Sequence, residues 1–207
     1  MDTIVPSAPD IVCKTGEEAS IWLNLHGCLQ KNHHVSLIAP GSNVQWTEPF
    51  SYVLKCNISS YWSASSTYCG GSWIIRNSTG KVLLHSRGSF YGVSFSVQAE
   101  LLALSWAASA VKDHKLKNVC FKFSSPGAAD ALTHPPVYPF SYSTCHEVLR
   151  NIYALPKSAI WLVPRSCNLA ASAIAESVIS GQRFQSYVAF GGPRWLAHWL
   201  DKEAASP

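Results

Sequence analysis

Charge is scarce in this chain. Only 14% of its 207 residues are Asp, Glu, Lys or Arg, too few for a solvated acidic or basic tail protein, while the 47% apolar fraction excludes global disorder. No apolar run reaches the ~20 residues of a membrane span, so no contact with a membrane is expected. The start, Met1-Asp2-Thr3-Ile4-Val5-Pro6, lacks the basic and apolar regions of a secretory leader. An intracellular protein of nucleus or cytoplasm is therefore expected, with the sequons at Asn57-Ile58-Ser59 and Asn77-Ser78-Thr79 left unglycosylated. There is no C-x-x-C. The seven cysteines, at positions 13, 28, 56, 69, 120, 145 and 167, are odd in number and widely spaced, which reads as free thiols in a reducing compartment. Neither Cys145-His146 nor His26-Gly27-Cys28 has a second pair at a zinc-like spacing. His33-His34 reads as a surface pair.

What charge there is lies unevenly. Residues 46–200 hold 13 Lys and Arg against 6 acids, a net +7, whereas the remainder holds 3 against 6, a net −3. The length fits one domain of roughly 150 residues with an arm. Residues 1–45 are rich in Pro, Ser and Asn without sustained periodicity, and read as an irregular arm with one short helix near 17–25. The body then alternates. Segments 52–59, 71–76 and 81–86 read as strands, the last two joined by the turn Asn77-Ser78-Thr79-Gly80. In 96–112, Val97, Leu101, Leu104, Ala108 and Val111 recur at the 3–4 spacing of a helix. Strand 118–124, short helix 128–132, helix 143–154, strand 158–163 and Ala-rich helix 166–180 follow. The order predicts an α/β fold: one mixed five-stranded sheet, three antiparallel strands and then βα units, flanked by helices. The aromatic segment 181–207 is expected to pack on the domain 46–180 as an extension, with Trp195 and Trp199 on its docking face.

Three stretches carry a resemblance. Leu54-Lys55-Cys56-Asn57-Ile58 with Gly70-Gly71-Ser72-Trp73-Ile74-Ile75-Arg76-Asn77-Ser78-Thr79-Gly80-Lys81 is the first. Gln98-Ala99-Glu100-Leu101-Leu102-Ala103-Leu104 is the second, and Arg165-Ser166-Cys167-Asn168-Leu169-Ala170-Ala171 the third. In order and spacing they resemble the reverse-transcriptase-derived, ribonuclease H type 1 proteins of plants, over residues 46 to about 200. The resemblance implies a ribonuclease H-like fold and an RNA/DNA-hybrid endoribonuclease. Such an enzyme uses two Mg²⁺ ions about 4 Å apart, held by four carboxylates because Mg²⁺ is hard.

Carried over position by position, the resemblance leaves one of the four carboxylates. Glu100 stands where the family has the Glu of its first helix. Ser59, Ser124 and Ser172 stand where the family has Asp. The histidine that many members carry before the last helix is missing from Pro164-Arg165-Ser166-Cys167. A serine hydroxyl stays neutral near pH 7, so the site brings about −1 to two ions carrying +4, and no bound metal is expected. The remaining acids of the domain, Glu48, Asp113, Asp130, Glu147 and Glu176, have no evident reason to point inward. No His accompanies the three serines to make a nucleophile. The expectation is a ribonuclease H-like pseudoenzyme that keeps nucleic-acid backbone binding or a scaffold role, and Lys112, Lys115 and Lys117 are its candidate phosphate contacts. An active hybrid ribonuclease and a protein-interaction module using the aromatic C-terminal segment are the alternatives.

Overall fold

The computed structural model describes residues 36–37 and 45–204, all within one compact unit, Val35–Pro207. The short helix near 17–25, His26, Cys28 and His33-His34 lie outside the described residues. Seven strands form one sheet: β1 (Ser36–Leu37), β2 (Leu54–Tyr61), β3 (Tyr68–Arg76), β4 (Val82–Tyr91), β5 (Val119–Phe123), β6 (Ala159–Leu162) and β7 (Tyr187–Phe190). Their spatial order is β1-β6-β5-β2-β3-β4-β7. The helices are α1 (Ser96–Asp113), α2 (Pro126–Thr133), α3 (Tyr142–Tyr153), α4 (Leu169–Ser180) and α5 (Ala197–Ala204).

The three antiparallel strands β2, β3 and β4 form the meander expected. Its tight turn is held by Asn77, whose Oδ1 accepts hydrogen bonds from the Thr79 and Lys81 N–H groups and the Thr79 hydroxyl. Beside β2 the chain switches to parallel pairing, β2 with β5 and β5 with β6. The first strand starts two residues later than predicted because Tyr52 sits at φ 66° in a turn closed by Val53 N–H to Phe50 C=O. It runs on to Tyr61 because Tyr61 still pairs with Gly70.

The sheet has two strands more than the predicted five, one at each edge. β1 adds two residues in parallel to β6, and β7 adds four antiparallel to β4. β1 is too short to show a period of two, and the four residues of β7, Tyr187-Val188-Ala189-Phe190, are all apolar, so neither is visible to a pattern search.

Both faces of the sheet are covered. On one, Cys56, Ile58, Trp73, Ile75, Phe121 and Phe123 pack against Leu101, Leu104, Ala108 and Val111 of α1 and Cys145, Val148 and Ile152 of α3. On the other, Ile74 and Val82 meet Ala170, Ala171 and Ile174 of α4. Alanines let α4 lie close. A Cβ at Gly70 would stand 2.0 Å from the Ala175 carbonyl oxygen, so β3 needs glycine there. Leu196 and Leu200 complete this second cluster. The docking face expected at Trp195 and Trp199 is not the one that packs. Trp195 and Trp199 remain 53% and 37% exposed, and it is the leucines beside them that turn inward.

Candidate functional site

Ser59, Glu100, Ser124 and Ser172 come from four different elements and line one cleft of about 280 Å³. Ser59 lies near the end of β2, Ser124 follows β5, Glu100 sits in the second turn of α1 and Ser172 in the first turn of α4. The loop before α4 is pinned to β2 by two asparagines. Asn57 Nδ2 donates to the Cys167 carbonyl at 3.2 Å, and Asn168 Nδ2 donates to the Ile58 carbonyl. These bonds bring residues 113 apart in sequence together, and the Ser59 and Ser172 hydroxyl oxygens lie 3.1 Å from each other. Ser172 Oγ also donates to the Asn168 carbonyl, one turn back in its helix.

Glu100 is 5% exposed. Its Oε2 accepts from the Ser60 N–H at 2.9 Å and the Ser60 hydroxyl at 2.7 Å. Burial pushes its carboxyl up to about 6, against the pull of the Ser60 bonds and of the Ser124 N–H. The Ser124 hydroxyl is buried at the cleft and has no hydrogen-bond partner. Around this centre stand Ser60, Tyr61, Trp62, Ser96, Ser125 and Arg165. Of these, none was singled out as a site residue from sequence. Ser96 at the first helical position and Ser125 before Pro126 carried helix-start signals that place them here.

The donor set does not fit a pair of Mg²⁺ ions. Glu100 is the one carboxylate lining the cleft, and one of its oxygens already accepts two hydrogen bonds. Among the described residues no three His, Cys, Asp or Glu side chains gather into a group able to hold a metal. Glu48, Asp113, Asp130, Glu147 and Glu176 are all exposed and off the cleft. Asp130 is engaged with His134 and Tyr138. Lys112, Lys115 and Lys117 are exposed at and beyond the C-terminal end of α1. Lys112 is twelve residues along the helix from Glu100, roughly 18 Å at 1.5 Å per residue, so the lysines and the cleft are separate places. No helix among the described residues is long and apolar enough to cross a membrane.

The arrangement of strands and helices is that of a ribonuclease H-like domain. Ribonuclease H1 of the archaeon Halobacterium salinarum superposes with a TM-score of 0.52 at 17% identity, over 62% of this chain and 98% of its own. LC11-RNase H1, isolated from compost by a metagenomic approach, gives 0.55 at 15% identity over 63% and 98%. The same enzyme in complex with an RNA/DNA hybrid gives 0.53 at 16% identity over 63% and 99%. Residues 57–178 match the reverse transcriptase-like family, and the chain belongs to it. No curated protein matches it.

Proposed function

We propose that this chain is a ribonuclease H-like domain that holds nucleic acid by its backbone and does not cut it. The observation that carries this reading is the chemistry of the cleft. Where a two-metal site needs carboxylates, Ser59 and Ser172 form a neutral hydroxyl pair, and the one carboxylate, Glu100, accepts from the Ser60 hydroxyl. If the two ions of such a site each contribute several kcal/mol, their loss costs many powers of ten in rate. Backbone binding has different needs, and this cleft meets them. Ser96 opens α1, and Ser125 caps α2 by accepting the Ala128 N–H at 3.2 Å. Neither helix has an acid in its first turn, so two positive helix ends meet at the cleft beside Arg165. One of the similar structures holds an RNA/DNA hybrid, which supports the choice of ligand. Lys112, Lys115 and Lys117 supply a second, separate phosphate contact in this reading. The motif order supports an origin among the reverse-transcriptase-derived type 1 proteins of plants.

The test is a labelled RNA/DNA hybrid titrated with purified protein in millimolar Mg²⁺ across a salt series. The expected result is an intact RNA strand and binding that weakens steeply with salt, its slope reporting several phosphates. Mg²⁺-dependent cleavage that disappears on Glu100→Ala establishes the enzyme reading instead.

A second reading rests on the exposed indoles of Trp195 and Trp199, which suit a protein partner better than a phosphate backbone. A partner lost on Trp195→Ala with Trp199→Ala, together with no affinity for hybrid, selects it.

A further inference from the structure

We infer that the sheet face beside Trp46 is an anion site, shaped to hold a phosphate group between Lys55 and Lys122 with Arg76 behind them. It is distinct from the cleft. Lys55 lies four residues before Ser59 on β2, about 13 Å along the strand. Strand register places the three cations side by side. Lys55 pairs with Arg76 across β2 and β3 and with Cys120 across β2 and β5, while Lys122 pairs with Asn57 two residues further along.

Each cation is removed from water or stacked on an indole. Arg76 is fully buried, its guanidinium 4.4 Å from the Trp46 ring centre. Lys55 is 8% exposed, donates to the Thr47 carbonyl and stands 4.7 Å from the same ring. The Lys122 ammonium is 4.6 Å from the Trp161 ring. Among the described residues the cluster has one carboxylate, Glu203, whose Oε2 is 2.7 Å from Arg76 Nη2. Arg76 Nε and Nη1 have no hydrogen-bond partner. Two thiols are near, but burial pushes both Cys120 and Cys167 up, so they stay neutral and balance nothing. Among the described residues, three cations stand against one anion, with Arg76 and Lys55 out of water, an excess of positive charge that is costly unless an anion joins it.

A phosphate dianion matches that excess, and its four oxygens accept from several donors at once. The route in is the β5–β6 side, where Cys120, Lys122, Trp161 and Cys167 are only half-buried. Burial and the neighbouring Lys122 lower Lys55 to about 8, and an anion beside the ammonium would oppose both.

The experiment titrates inorganic phosphate into the intact chain, with chloride at matched ionic strength as control. It follows the melting temperature and the amide signals of Lys55, Cys120 and Lys122. Phosphate is expected to raise the melting temperature beyond chloride and to move those signals. Lys122→Met, at a half-buried position, should melt at least as high as wild type in chloride and bind phosphate at least an order of magnitude more weakly. Equal melting in phosphate and chloride, or an undiminished phosphate response in Lys122→Met, overturns the proposal. An RNA/DNA hybrid added to the phosphate-bound protein identifies the source. Displacement means a backbone phosphate, and no displacement means free phosphate or a phosphomonoester. The site stands on its own cations, so a hybrid that never binds refutes the functional reading above and leaves this one intact.

Discussion

Ser59 Oγ and Ser172 Oγ are 3.1 Å apart, one on the central strand of the sheet and the other in the first turn of the helix that covers it. A pair of hydroxyls at that distance shares a proton comfortably, whereas a pair of carboxylates does so only at a cost or around a cation. Ser59→Asp with Ser172→Asp should therefore destabilise the metal-free fold by about 2 kcal/mol near neutral pH. Added Mg²⁺ should restore much of the loss. Thermal melts with and without Mg²⁺ measure both effects, and wild type should show no comparable response to the metal.

Glu100 sets a pH dependence of definite sign. Its carboxyl titrates near 6 in the fold against an ordinary 4.5, so the folded state binds the proton more tightly than the unfolded state. The resulting stability is present below about 4.5 and is lost as pH rises through 6. At 1.36 kcal/mol per pKa unit the total is about 2 kcal/mol. Glu100→Gln should flatten this part of the stability profile and raise stability near neutral pH, by chemical denaturation at a series of pH values.

The Arg76–Glu203 pair, 2.7 Å apart, should be costly to break from the acid side. Glu203→Ala leaves a fully buried guanidinium without its carboxylate, and a loss of about 3–5 kcal/mol is expected. Asp201→Ala, two residues away and exposed, should change stability by less than about 0.5 kcal/mol. Urea midpoints of the two variants give the comparison.

Gly70→Ala puts a methyl group into the Ala175 carbonyl. Because α4 cannot withdraw without uncovering Ile74 and Ile174, a cost of about 1–3 kcal/mol is expected. The same shift moves Ser172 away from Ser59, so the denaturation midpoint and the Ser172 amide signal should change together.

Where patterns were long, the sequence was readable. The α1 stripe Leu101, Leu104, Ala108 and Val111 is buried as its spacing requires, and Asn77 closes the hairpin its turn residues announce. The four positions taken from the resemblance, Ser59, Glu100, Ser124 and Ser172, meet in one cleft. What was not readable depends on tertiary pairing. β7 is a four-residue strand whose partner lies a hundred residues upstream on β4, and periodicity cannot reveal that. Which side of the C-terminal helix turns inward is not legible in the sequence, because Trp195 with Trp199 and Leu196 with Leu200 have the same one-turn spacing. Yet Leu196 and Leu200, one turn apart, fit the groove beside Ile74 and Val82. Arg165 lies in the third stretch of the resemblance, but nothing in that motif gave it a place in the site. It borders the cleft because the turn before α4 carries it there.

The pairing of Arg76 with Glu203 also sets an order of events during synthesis. Arg76 ends β3, in the hairpin that pairs most locally, but its carboxylate is made 127 residues later. A nascent chain that assembled β2, β3 and β4 early would have to shelter a bare guanidinium until α5 arrived. The stable burial of that sheet face is therefore a late step, and a ribosome paused before residue 203 should display a domain whose Trp46 side is still open to solvent.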